Sequence, residues 1–502
     1  MGTEDVTAEK TTDVLGKSHL AGFCSKNFRD FCMAENVKER IYFLGIGGVA
    51  MGNAAILSQR SGHVVGGSDR AIYSPMRELL ARERIVPFAG FSPQNMTEFR
   101  PDVIVVGNGV GRGNAEVEWL LNERPCPFLS LPEFLAARFL SNRHRIVVAG
   151  THGKTTTTAL TAFYLRQLGS QAGYFIGGAP VDFPSGADLG EKYAPFVIEG
   201  DEYDSAFFDK RSKFIHYAPN TLVINAIDFD HADIFRDIED VCRTFNHLLR
   251  TVPGNGHVFL NGDDRNCLDL VTCQWTQFFR VGLGDSNDFQ IKNFITDDGG
   301  SHWQVLHAGK VTHMRTQLLG EFNARNATMA ILAAHCALSL PLSNSIDLRN
   351  FRGVRRRQEI LHRDGQCVVY EDFAHHPRAT WSMLQSLRQR YPNCELICCF
   401  EPASNTSARR VLFEEFVQSF CLCDRCYLAP VRNGEAIPEN ERCSMQEMAG
   451  RLRSLGKDAI AFADNDQMRE HLLQILASAA NQFRVVALFS NAAFDGVLSH
   501  WR

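Results

Sequence analysis

From Arg40 onward, short apolar runs alternate with glycine-rich turns and segments of helical length. The first apolar run is Ile41–Leu44; a glycine-rich turn over residues 45–52, a helix to about Ser61 and a second run over residues 63–69 follow it. Apolar runs of this length, bounded by turn signals, are typical of buried strands, and their alternation with helices predicts a parallel sheet. Another apolar run at 102–106 belongs to the same unit. One open parallel sheet is therefore expected up to about residue 140.

A second unit of the same kind opens with the apolar run at 145–150. Further strands are predicted at 196–198 and 221–225, and the last long helix is expected from about Asn323 to Leu338. The Gly299-Gly300 pair and the alternating stretch after it predict a small antiparallel insertion before that helix.

The segment 340–347 contains Pro341 and several serines, which predicts a linker. A third α/β unit then follows, with strands expected near 367–370, 395–400, 426–430 and 484–489. Residues 1–38 show no sustained period and are interpreted as an extension, with a helical stretch around Asn27–Met33. The predicted fold is α/β with three domains, a Rossmann-like first domain, a central P-loop-type domain with a parallel sheet and a Rossmann-like last domain. Their predicted boundaries are 1–38 for the extension, then 39–140, 141–340 and 341–502.

Composition narrows the class of protein. The 502 residues are 45% hydrophobic and 22% charged, which is typical of a globular chain with about three domains. No apolar stretch approaches the ~20 residues that a membrane span needs, and the first residues lack the apolar core of a signal peptide. We therefore expect a cytoplasmic protein without a membrane partner. The net charge of −5 argues against nucleic acid as the main partner.

Fifteen cysteines are scattered without regular spacing, so reduced thiols are expected rather than a disulfide framework. Only Cys423 and Cys426 form a C-x-x-C pair. No second pair lies nearby, and the segment leads into an apolar run, which favours structural thiols over a zinc or redox site.

The strongest local motif is Gly150-Thr-His-Gly-Lys-Thr-Thr-Thr157, between an apolar strand and a helix. Backbone N–H groups of such a turn surround phosphate oxygens, while Lys154 neutralises phosphate charge and Thr155 can bind magnesium. The motif is not a strict Walker A sequence, because Val148 stands where its first glycine belongs. A chance Gly-Lys-Thr at a helix start is the alternative, and the order of strand, turn and helix argues against it.

Glu199 and His231 lie after predicted strands of the same unit. Ligands of open α/β sheets bind at the carboxyl ends of the strands, so both side chains are expected near the phosphate loop, where they could hold a metal ion. The alternative for such an acidic segment is a solvated loop or a helix cap.

The earlier loop at Gly45, Gly47 and Gly48 carries weaker information. It completes a G-x-G-x-x-G pattern only with Ala50 in the third place, and Asp69 follows at the spacing of a ribose-binding carboxylate. Alone it would suggest NAD. A UDP-sugar also brings a diphosphate to a helix N-terminus, so both ligands fit.

Several motifs, in this order along the chain, resemble the Mur ligases. They are Gly45-Ile-Gly-Gly, the 150–156 loop, Glu199, Asp230-His231, Gly320-Glu-Phe-Asn-Ala-Arg-Asn326, Arg355-Arg-Arg357 and Asp372-Phe-Ala-His-His-Pro377. Within the family, the segments 207–214, 229–235 and 401–406 resemble the branch that adds a cell-wall tripeptide rather than the branch that adds L-alanine. The resemblance runs from about residue 40 to the C-terminus.

The resemblance implies a UDP-muramate domain, a central ATPase domain and a C-terminal domain that receives the amino component. It also implies ATP and Mg²⁺ as cofactors. The implied reaction phosphorylates the carboxylate of UDP-N-acetylmuramate, and the amine of L-alanyl-γ-D-glutamyl-meso-diaminopimelate then attacks the acyl phosphate, in peptidoglycan recycling. Charge stabilisation by Lys154 and the metal would be the main catalytic effect.

The resemblance also implies a role for individual residues. Catalysis would fall to Lys154, Glu199, His231 and His375, and the metal ligands would be Thr155, Glu199 and His231. ATP would meet Gly150, Thr151, His152, Gly153, Lys154, Thr155, Thr156, Asn323, Asn326, Arg356, Arg357 and Asp372, with His376 close by. The UDP substrate would meet Gly45, Gly47, Gly48, Asp69, Asn108, Arg112 and Asn114. The acceptor candidates are Lys210, Arg211, Ser404, Asn405, Ser490 and Asn491.

Simpler structural alternatives exist for three of these assignments. Asn323 could be a helix N-cap, the arginine run a solvated face, and His376 a turn residue before Pro377. Two departures from the family pattern are also present. The carbamylated lysine of several Mur ligases has no counterpart, because no lysine occurs between Lys213 and Lys292, and Glu371 stands where relatives often have Asp.

Competing functions remain at this stage. The nearest is the muramate–L-alanine ligase on the same scaffold; a nicotinamide oxidoreductase and a non-catalytic nucleotide-binding regulator are more distant. The oxidoreductase would leave the second phosphate loop without a purpose. The sequence does not determine the oligomeric state.

Overall fold

The computed structural model describes residues 38–232, 234–271, 274–478, 482–494 and 496–501. The predicted extension, including the helical stretch at Asn27–Met33, lies outside the described residues apart from Lys38.

The first unit is a five-stranded parallel sheet in the order β3-β2-β1-β4-β5. Its strands are β1 Arg40–Leu44, β2 Val64–Asp69, β3 Phe88–Ala89, β4 Val103–Val106 and β5 Phe128–Ser130. Its helices are α1 Val49–Arg60, α2 Met76–Arg82, α3 Pro93–Phe99, α4 Ala115–Glu123 and α5 Leu131–Arg138. The apolar residues of β4 are fully buried, as expected for a strand covered by helices on both faces.

The central unit is an eleven-stranded sheet in the order β18-β17-β16-β15-β14-β13-β12-β6-β9-β7-β8. Its strands are β6 Arg145–Ala149, β7 Gly173–Phe175, β8 Ala187–Asp188, β9 Phe196–Glu199, β12 Thr221–Ile224, β13 His257–Asn261, β14 Gln277–Gly282, β15 Phe289–Asp297, β16 Gly300–His307, β17 Lys310–Thr316 and β18 Ser345–Leu348. A separate hairpin is formed by β10 Asp204–Ala206 and β11 Asp209–Ser212. The helices are α6 Lys154–Gln167, α7 Ile238–Leu249, α8 Arg265–Leu268 and α9 Glu321–Leu338.

The antiparallel insertion is present as β15, β16 and β17, and it extends the main sheet rather than standing apart. The predicted linker, residues 340–347, is wrong in its last three residues, because Ser345–Leu348 forms β18 and pairs in parallel with β17. Buried and exposed residues alternate in this segment, as in a strand with one face on the core: Ile346 and Leu348 are buried, whereas Ser345 and Asp347 are exposed. The serines nearby make this alternation hard to recognise in the sequence.

The last unit is a six-stranded sheet in the order β19-β20-β24-β21-β22-β23, parallel except for β19. Its strands are β19 Glu359–Arg363, β20 Cys367–Asp372, β21 Glu395–Phe400, β22 Arg425–Leu428, β23 Asp458–Ala461 and β24 Arg484–Phe489. Its helices are α10 Pro377–Arg390, α11 Phe413–Phe420, α12 Met445–Ser454 and α13 Asn465–Ala477.

Cys423 and Cys426 are fully buried in the core of this unit, and Cys426 is the register partner of Cys398 on the neighbouring strand. The described cysteines carry free thiols, in agreement with the interpretation as structural thiols. Within the described ranges, no helix is both long and apolar enough to cross a bilayer.

The sheet order explains where chemistry can occur. Strands β12, β6 and β9 are neighbours in the central sheet, so their carboxyl ends at Ile224, Ala149 and Glu199 meet at one edge. The helix α6 begins there, and α9 packs against it. The three strand ends therefore deliver the phosphate loop and its surroundings to a single place.

Candidate functional site

A cavity of about 910 Å³ lies at this edge, where the three units meet. The first unit contributes Val49 and Asn53 of α1, the central unit the phosphate loop and the strand ends, and the last unit the segments 354–358 and 372–376. Such clefts between domains are where small-molecule sites are most often found.

The phosphate loop depends on two glycines with left-handed backbone. Gly150 has φ 129° and Gly153 has φ 82°, and Gly153 is the N-cap of α6. A Cβ on Gly153 would lie 2.5 Å from Nδ2 of Asn225, which is too close for any larger residue. The Thr151 N–H donates to the Ala226 carbonyl at 2.7 Å, so the loop is fastened to the end of β12. The first turn of α6, including Thr156, faces the cavity from below.

Lys154 does not extend into solvent. Its Nζ lies 2.7 Å from Oε2 of Glu202, whose side chain is 2% exposed. Burial lowers the pKa of Lys154, but Glu202 and Asp201 raise it more strongly, so the net shift is upward and the lysine is charged. The lysine is thus a cation held within the cavity by buried carboxylates.

Thr155 and Glu199 form the part of the site that suits a hard metal ion. The Thr155 hydroxyl donates to Oε1 of Glu199 at 3.0 Å, and the Gly177 N–H donates to Oε2 at 2.8 Å. Burial raises the pKa of Glu199, which an adjacent cation would reverse. One hydroxyl and one carboxylate are oxygen ligands of the kind that Mg²⁺ takes, so these two residues fit the ion.

His231 contacts a different carboxylate from the one predicted. Its Nε2 lies 3.2 Å from Oε1 of Glu202, and its Nδ1 lies 2.6 Å from the Tyr203 hydroxyl. Burial lowers the pKa of His231, and the hydrogen bond that His231 donates to Glu202, together with the charge of Asp230, more than offsets this, so the pKa is raised. The structure therefore brings His231 to the acidic pocket of Lys154 rather than to Glu199.

The last unit supplies two arginines and a carboxylate. The Arg356 guanidinium donates to Oε1 of Glu371 at 2.8 Å and to the Ser490 carbonyl at 2.8 Å, which gives Glu371 a structural role. Arg357 lies with its guanidinium 4.6 Å from the centre of the Phe373 ring, and burial lowers its pKa. Asp372 accepts N–H donors from Gln358 and Ala374, each at 2.8 Å, and burial raises its pKa. The arginine run is accordingly not a simple solvated face.

His375 and His376 both reach the central unit. Nε2 of His375 lies 3.6 Å from Oδ2 of Asp230, and the Asp230 carboxylate also accepts the Thr406 hydroxyl at 2.7 Å. His376 is the N-cap residue of α10, and its Nε2 lies 3.2 Å from the Phe229 carbonyl. His376 therefore both precedes α10 as its N-cap residue and contacts the central domain.

Asn323 and Asn326 are buried on α9. The helix begins at Glu321 with Gly320 as its N-cap, so the alternative of Asn323 as the N-cap is wrong. The Asn323 side chain donates to the Leu319 carbonyl at 3.0 Å, and Oδ1 of Asn326 accepts from Asn225 at 2.8 Å. Both asparagines line the cavity.

The predicted UDP-substrate residues lie together in the first unit but outside the cavity lining. The Gly47 N–H donates to Oδ2 of Asp69 at 2.9 Å. In the same loop, Gly45 has a φ of 84° and Gly48 is the N-cap of α1. Arg112 is exposed and forms an ion pair with Glu118 at 2.9 Å, Asn114 caps α4, and Asn108 is exposed.

The acceptor candidates also lie outside the cavity lining. Lys210 pairs with Asp204 at 2.8 Å and Arg211 with Asp209 at 2.7 Å, on the exposed hairpin. The Ser404 hydroxyl donates a hydrogen bond to the Ser407 hydroxyl, and the Ser490 hydroxyl donates one to Glu401. Asn405 is exposed, and Asn491 is half-buried. The structure does not unite these six residues into one pocket.

The sequence analysis missed Asp201 and Asn225, which line the cavity, and Glu202, which binds the cavity residue Lys154. Glu202 binds Lys154, and Asp201 binds Lys213 at 2.7 Å; that contact overcomes burial and holds the pKa of Asp201 at about 2. Asn225 joins Thr157 of α6 to Asn326 of α9. The available signal was their position: Asp201 and Glu202 come shortly after the predicted strand 196–198, and Asn225 is the last residue of the predicted strand 221–225.

Comparison with known proteins gives matches along the described part of the chain. Three models of one family match in succession: the Mur ligase family catalytic domain over residues 40–143, the Mur ligase middle domain over 148–334 and the Mur ligase glutamate ligase domain over 356–490.

Individual relatives agree with this. The chain is 40% identical to the UDP-N-acetylmuramate–L-alanyl-γ-D-glutamyl-meso-2,6-diaminoheptandioate ligase of Escherichia coli K12, over 78% of this chain and 84% of that protein. It is 27% identical to the UDP-N-acetylmuramate–L-alanine ligase of Desulfitobacterium hafniense, over 87% of this chain and 94% of that protein. A crystal structure of a murein peptide ligase from Psychrobacter arcticus matches with a TM-score of 0.64 and 30% identity, covering 91% of this chain and 97% of the other.

Proposed function

The chain belongs to the Mur ligase family, and from this premise we propose that it is the ATP-dependent ligase that joins UDP-N-acetylmuramate to L-alanyl-γ-D-glutamyl-meso-diaminopimelate. The observation that carries the proposal is the cavity in which Lys154, Thr155 and Glu199 of the central unit face Arg357 and Asp372 of the last unit. Phosphate-binding and charge-stabilising groups from two domains meet there, as an acyl-phosphate reaction requires.

The first chemical step is phosphorylation of the muramate carboxylate by ATP. The loop 150–153 and the N-terminus of α6 present N–H donors to the phosphates, and Lys154 adds a positive charge. Mg²⁺ held by Thr155 and Glu199 would neutralise the charge that develops on the transferring phosphoryl group. Glu202 keeps the ammonium group of Lys154 in place, since the two groups are 2.7 Å apart.

The second step is attack of the acceptor amine on the acyl phosphate. His375, whose imidazole lies 3.6 Å from Asp230, is the candidate for orienting groups at the junction of the two domains. Asn323 and Asn326 would hold the adenine, and Arg357 with Asp372 the phosphates or ribose of ATP. Because these contacts come from different domains, closure of the last domain assembles the complete site.

The acceptor assignment depends on the branch of the family. Relatives named for the tripeptide share more identical residues with this chain than the relative named for L-alanine does, which favours the tripeptide. Since the reaction consumes ATP, we expect it in the cytoplasm. The L-alanine ligase remains the second candidate because it shares the scaffold.

Steady-state kinetics with the two acceptors test the proposal. We expect kcat/KM for the tripeptide to exceed that for L-alanine by at least ~100-fold, which corresponds to a few kcal/mol of binding energy from the remote part of the peptide. Phosphate release should require both UDP-N-acetylmuramate and the amine. An equal or reversed preference would assign the chain to the alanine-adding branch.

A further inference from the structure

A group of three potential ligands lies at the phosphate loop, and the reaction described above gives their side chains no chemical step. It consists of His152 from the loop, Asp228 from the segment after β12, and His376 at the start of α10. One ligand atom from each residue lies within 4.8 Å of the others. The group therefore spans the boundary between the central and last units.

The atoms that would face an ion have no hydrogen-bond partner outside the group. Nδ1 of His376 is buried without a hydrogen-bond partner among the described residues, and the buried Nε2 of His152 and Oδ2 of Asp228 have only each other, at 3.2 Å. Buried polar atoms are nearly always satisfied, so a buried ring nitrogen without a partner beside this pair needs an explanation. A bound cation would satisfy all three ligand atoms.

The other atoms of His376 and Asp228 are already held. Nε2 of His376 lies 3.2 Å from the Phe229 carbonyl, which makes Nε2 the protonated nitrogen and leaves a lone pair on Nδ1. Oδ1 of Asp228 binds Arg378 at 2.8 Å, which leaves Oδ2 directed at His152 and available to an ion. Fixing the outer atom of a ligand in this way is how proteins orient metal ligands.

The spacing also fits a small tetrahedral ion. Two ligand atoms bound about 2.0 Å from zinc at the tetrahedral angle lie about 3.3 Å apart. Nε2 of His152 and Oδ2 of Asp228 are 3.2 Å apart. Two imidazoles and one carboxylate are ligands that suit Zn²⁺ or Co²⁺ and are a poor choice for Mg²⁺, which prefers oxygen.

We propose that His152, Asp228 and His376 form a binding site for a divalent transition-metal ion of the zinc class, separate from the magnesium ligands Thr155 and Glu199. An ion at this site links the phosphate loop to α10. It therefore holds the last domain against the central domain and competes with the opening that substrate exchange requires.

Two other groups of potential ligands occur in the described part of the chain, and both are less suitable. In the group of Glu133, Asp209 and His216, Arg211 occupies both carboxylate oxygens of Asp209, and Glu133 accepts from Ser130 in a capping box. In the group of His362, Asp364 and Cys367, Asp364 accepts the N–H groups of Gln366 and Cys367, and His362 is 41% exposed. These groups provide matched controls.

The test is a titration of the full-length protein with Co²⁺, without nucleotide or peptide, followed by the visible absorption of the bound ion. We expect one Co²⁺ per chain, displaced by Zn²⁺ and retained in excess Mg²⁺. Asp228→Asn and His376→Gln should each weaken binding by at least about tenfold. His216→Gln and His362→Gln should bind as the wild type does.

Thermal unfolding supplies an independent readout. Zn²⁺ should raise the unfolding temperature of the wild type and not that of Asp228→Asn, because only an ion bound to the folded state stabilises it. If His376→Gln fails to fold, the Asp228→Asn result decides. Absence of binding by the wild type, unchanged affinity in Asp228→Asn, or loss of binding in either control variant would overturn the proposal. None of these measurements depends on ligase activity, so the proposed function can fail separately.

Discussion

The two glycine-rich loops of this chain occupy the same local position, between a buried strand and the first turn of a helix, yet their surroundings differ. At the loop before α1, the Gly47 N–H donates to Asp69, and that loop lies outside the cavity lining. At the loop before α6, Lys154 and Thr155 are held by the buried carboxylates Glu202 and Glu199. The same turn can thus bind a diphosphate in either place, but only the second loop has charged groups suited to transferring a phosphate.

The difference arises from the sheet rather than from the loops. The carboxylates at the second loop come from the end of β9, the immediate neighbour of β6 in the sheet. At the first loop, the neighbouring strand β2 ends in Asp69 alone, and the buried carboxylate Glu116 is satisfied by Tyr42, Ser68 and Asn95. We therefore expect changes at the second loop to act on turnover, and changes at the first loop to act on binding of the UDP substrate.

Lys154→Ala should have the largest effect, because it removes the cation that faces the ATP phosphates. ATP turnover is expected to fall by at least about a thousandfold, while calorimetry still detects UDP-N-acetylmuramate binding to the first domain. The substitution also leaves Glu202 buried without its partner, which costs stability. The double variant Lys154→Ala/Glu202→Gln should recover much of the stability and none of the turnover. Turnover close to that of the wild type would show that this loop is not the phosphate site.

Glu199→Ala or His231→Ala should lower the rate by at least about a hundredfold, the usual loss for one transition-state charge stabiliser. Glu199→Ala should also need more magnesium, measured as the Mg²⁺ concentration for half-maximal rate, whereas His231→Ala should not, because His231 contacts Glu202 rather than Glu199. Glu116→Gln is the control, since Glu116 is a fully buried carboxylate that lies in the first unit. It should lower the unfolding temperature and leave the magnesium requirement unchanged. Normal magnesium dependence in Glu199→Ala would contradict the metal assignment.

Asp69→Ala should act at the first loop and more weakly. A hydrogen bond to a charged group contributes ~1.5–3 kcal/mol, so loss of the Gly47 contact is expected to raise the KM for UDP-N-acetylmuramate about tenfold. The kcat at saturating substrate should stay near the wild-type value, because the change affects binding alone. Arg60→Ala removes an ion pair with Glu83 at the far end of α1 and serves as the control. A fall in kcat with unchanged KM would remove the distinction between the loops.

Sequence reasoning succeeds where the information is local. The order of strand, turn and helix at 145–167 follows from neighbouring residues, and so do the glycines with positive φ. It fails for partners that the sheet brings together: Glu202 is 48 residues from Lys154, and Asn225 is 101 residues from Asn326. It also fails for β18, where two apolar residues are set among polar ones and only pairing with β17 reveals a strand. No local pattern distinguishes Glu199 from Glu202 as the partner of His231.

The smallest effect is expected in the basic run on the β10–β11 hairpin, where Arg211 and Lys210 pair with neighbouring aspartates and remain largely exposed. Exposed ion pairs of this kind contribute at most about 1 kcal/mol. Arg211→Ala should therefore change the KM for the tripeptide by less than about fivefold. Lys213→Ala is the informative comparison, because Lys213 lies 2.7 Å from Asp201, a partly buried carboxylate that lines the cavity and would lose this partner. That variant should lower turnover and stability together.

Steady-state kinetics with varied tripeptide at saturating ATP distinguish the Arg211→Ala and Lys213→Ala variants. If Arg211→Ala instead raises the tripeptide KM by about tenfold or more while the KM for ATP is unchanged, the hairpin binds a carboxylate of the acceptor, and the acceptor site extends from the cavity across β11.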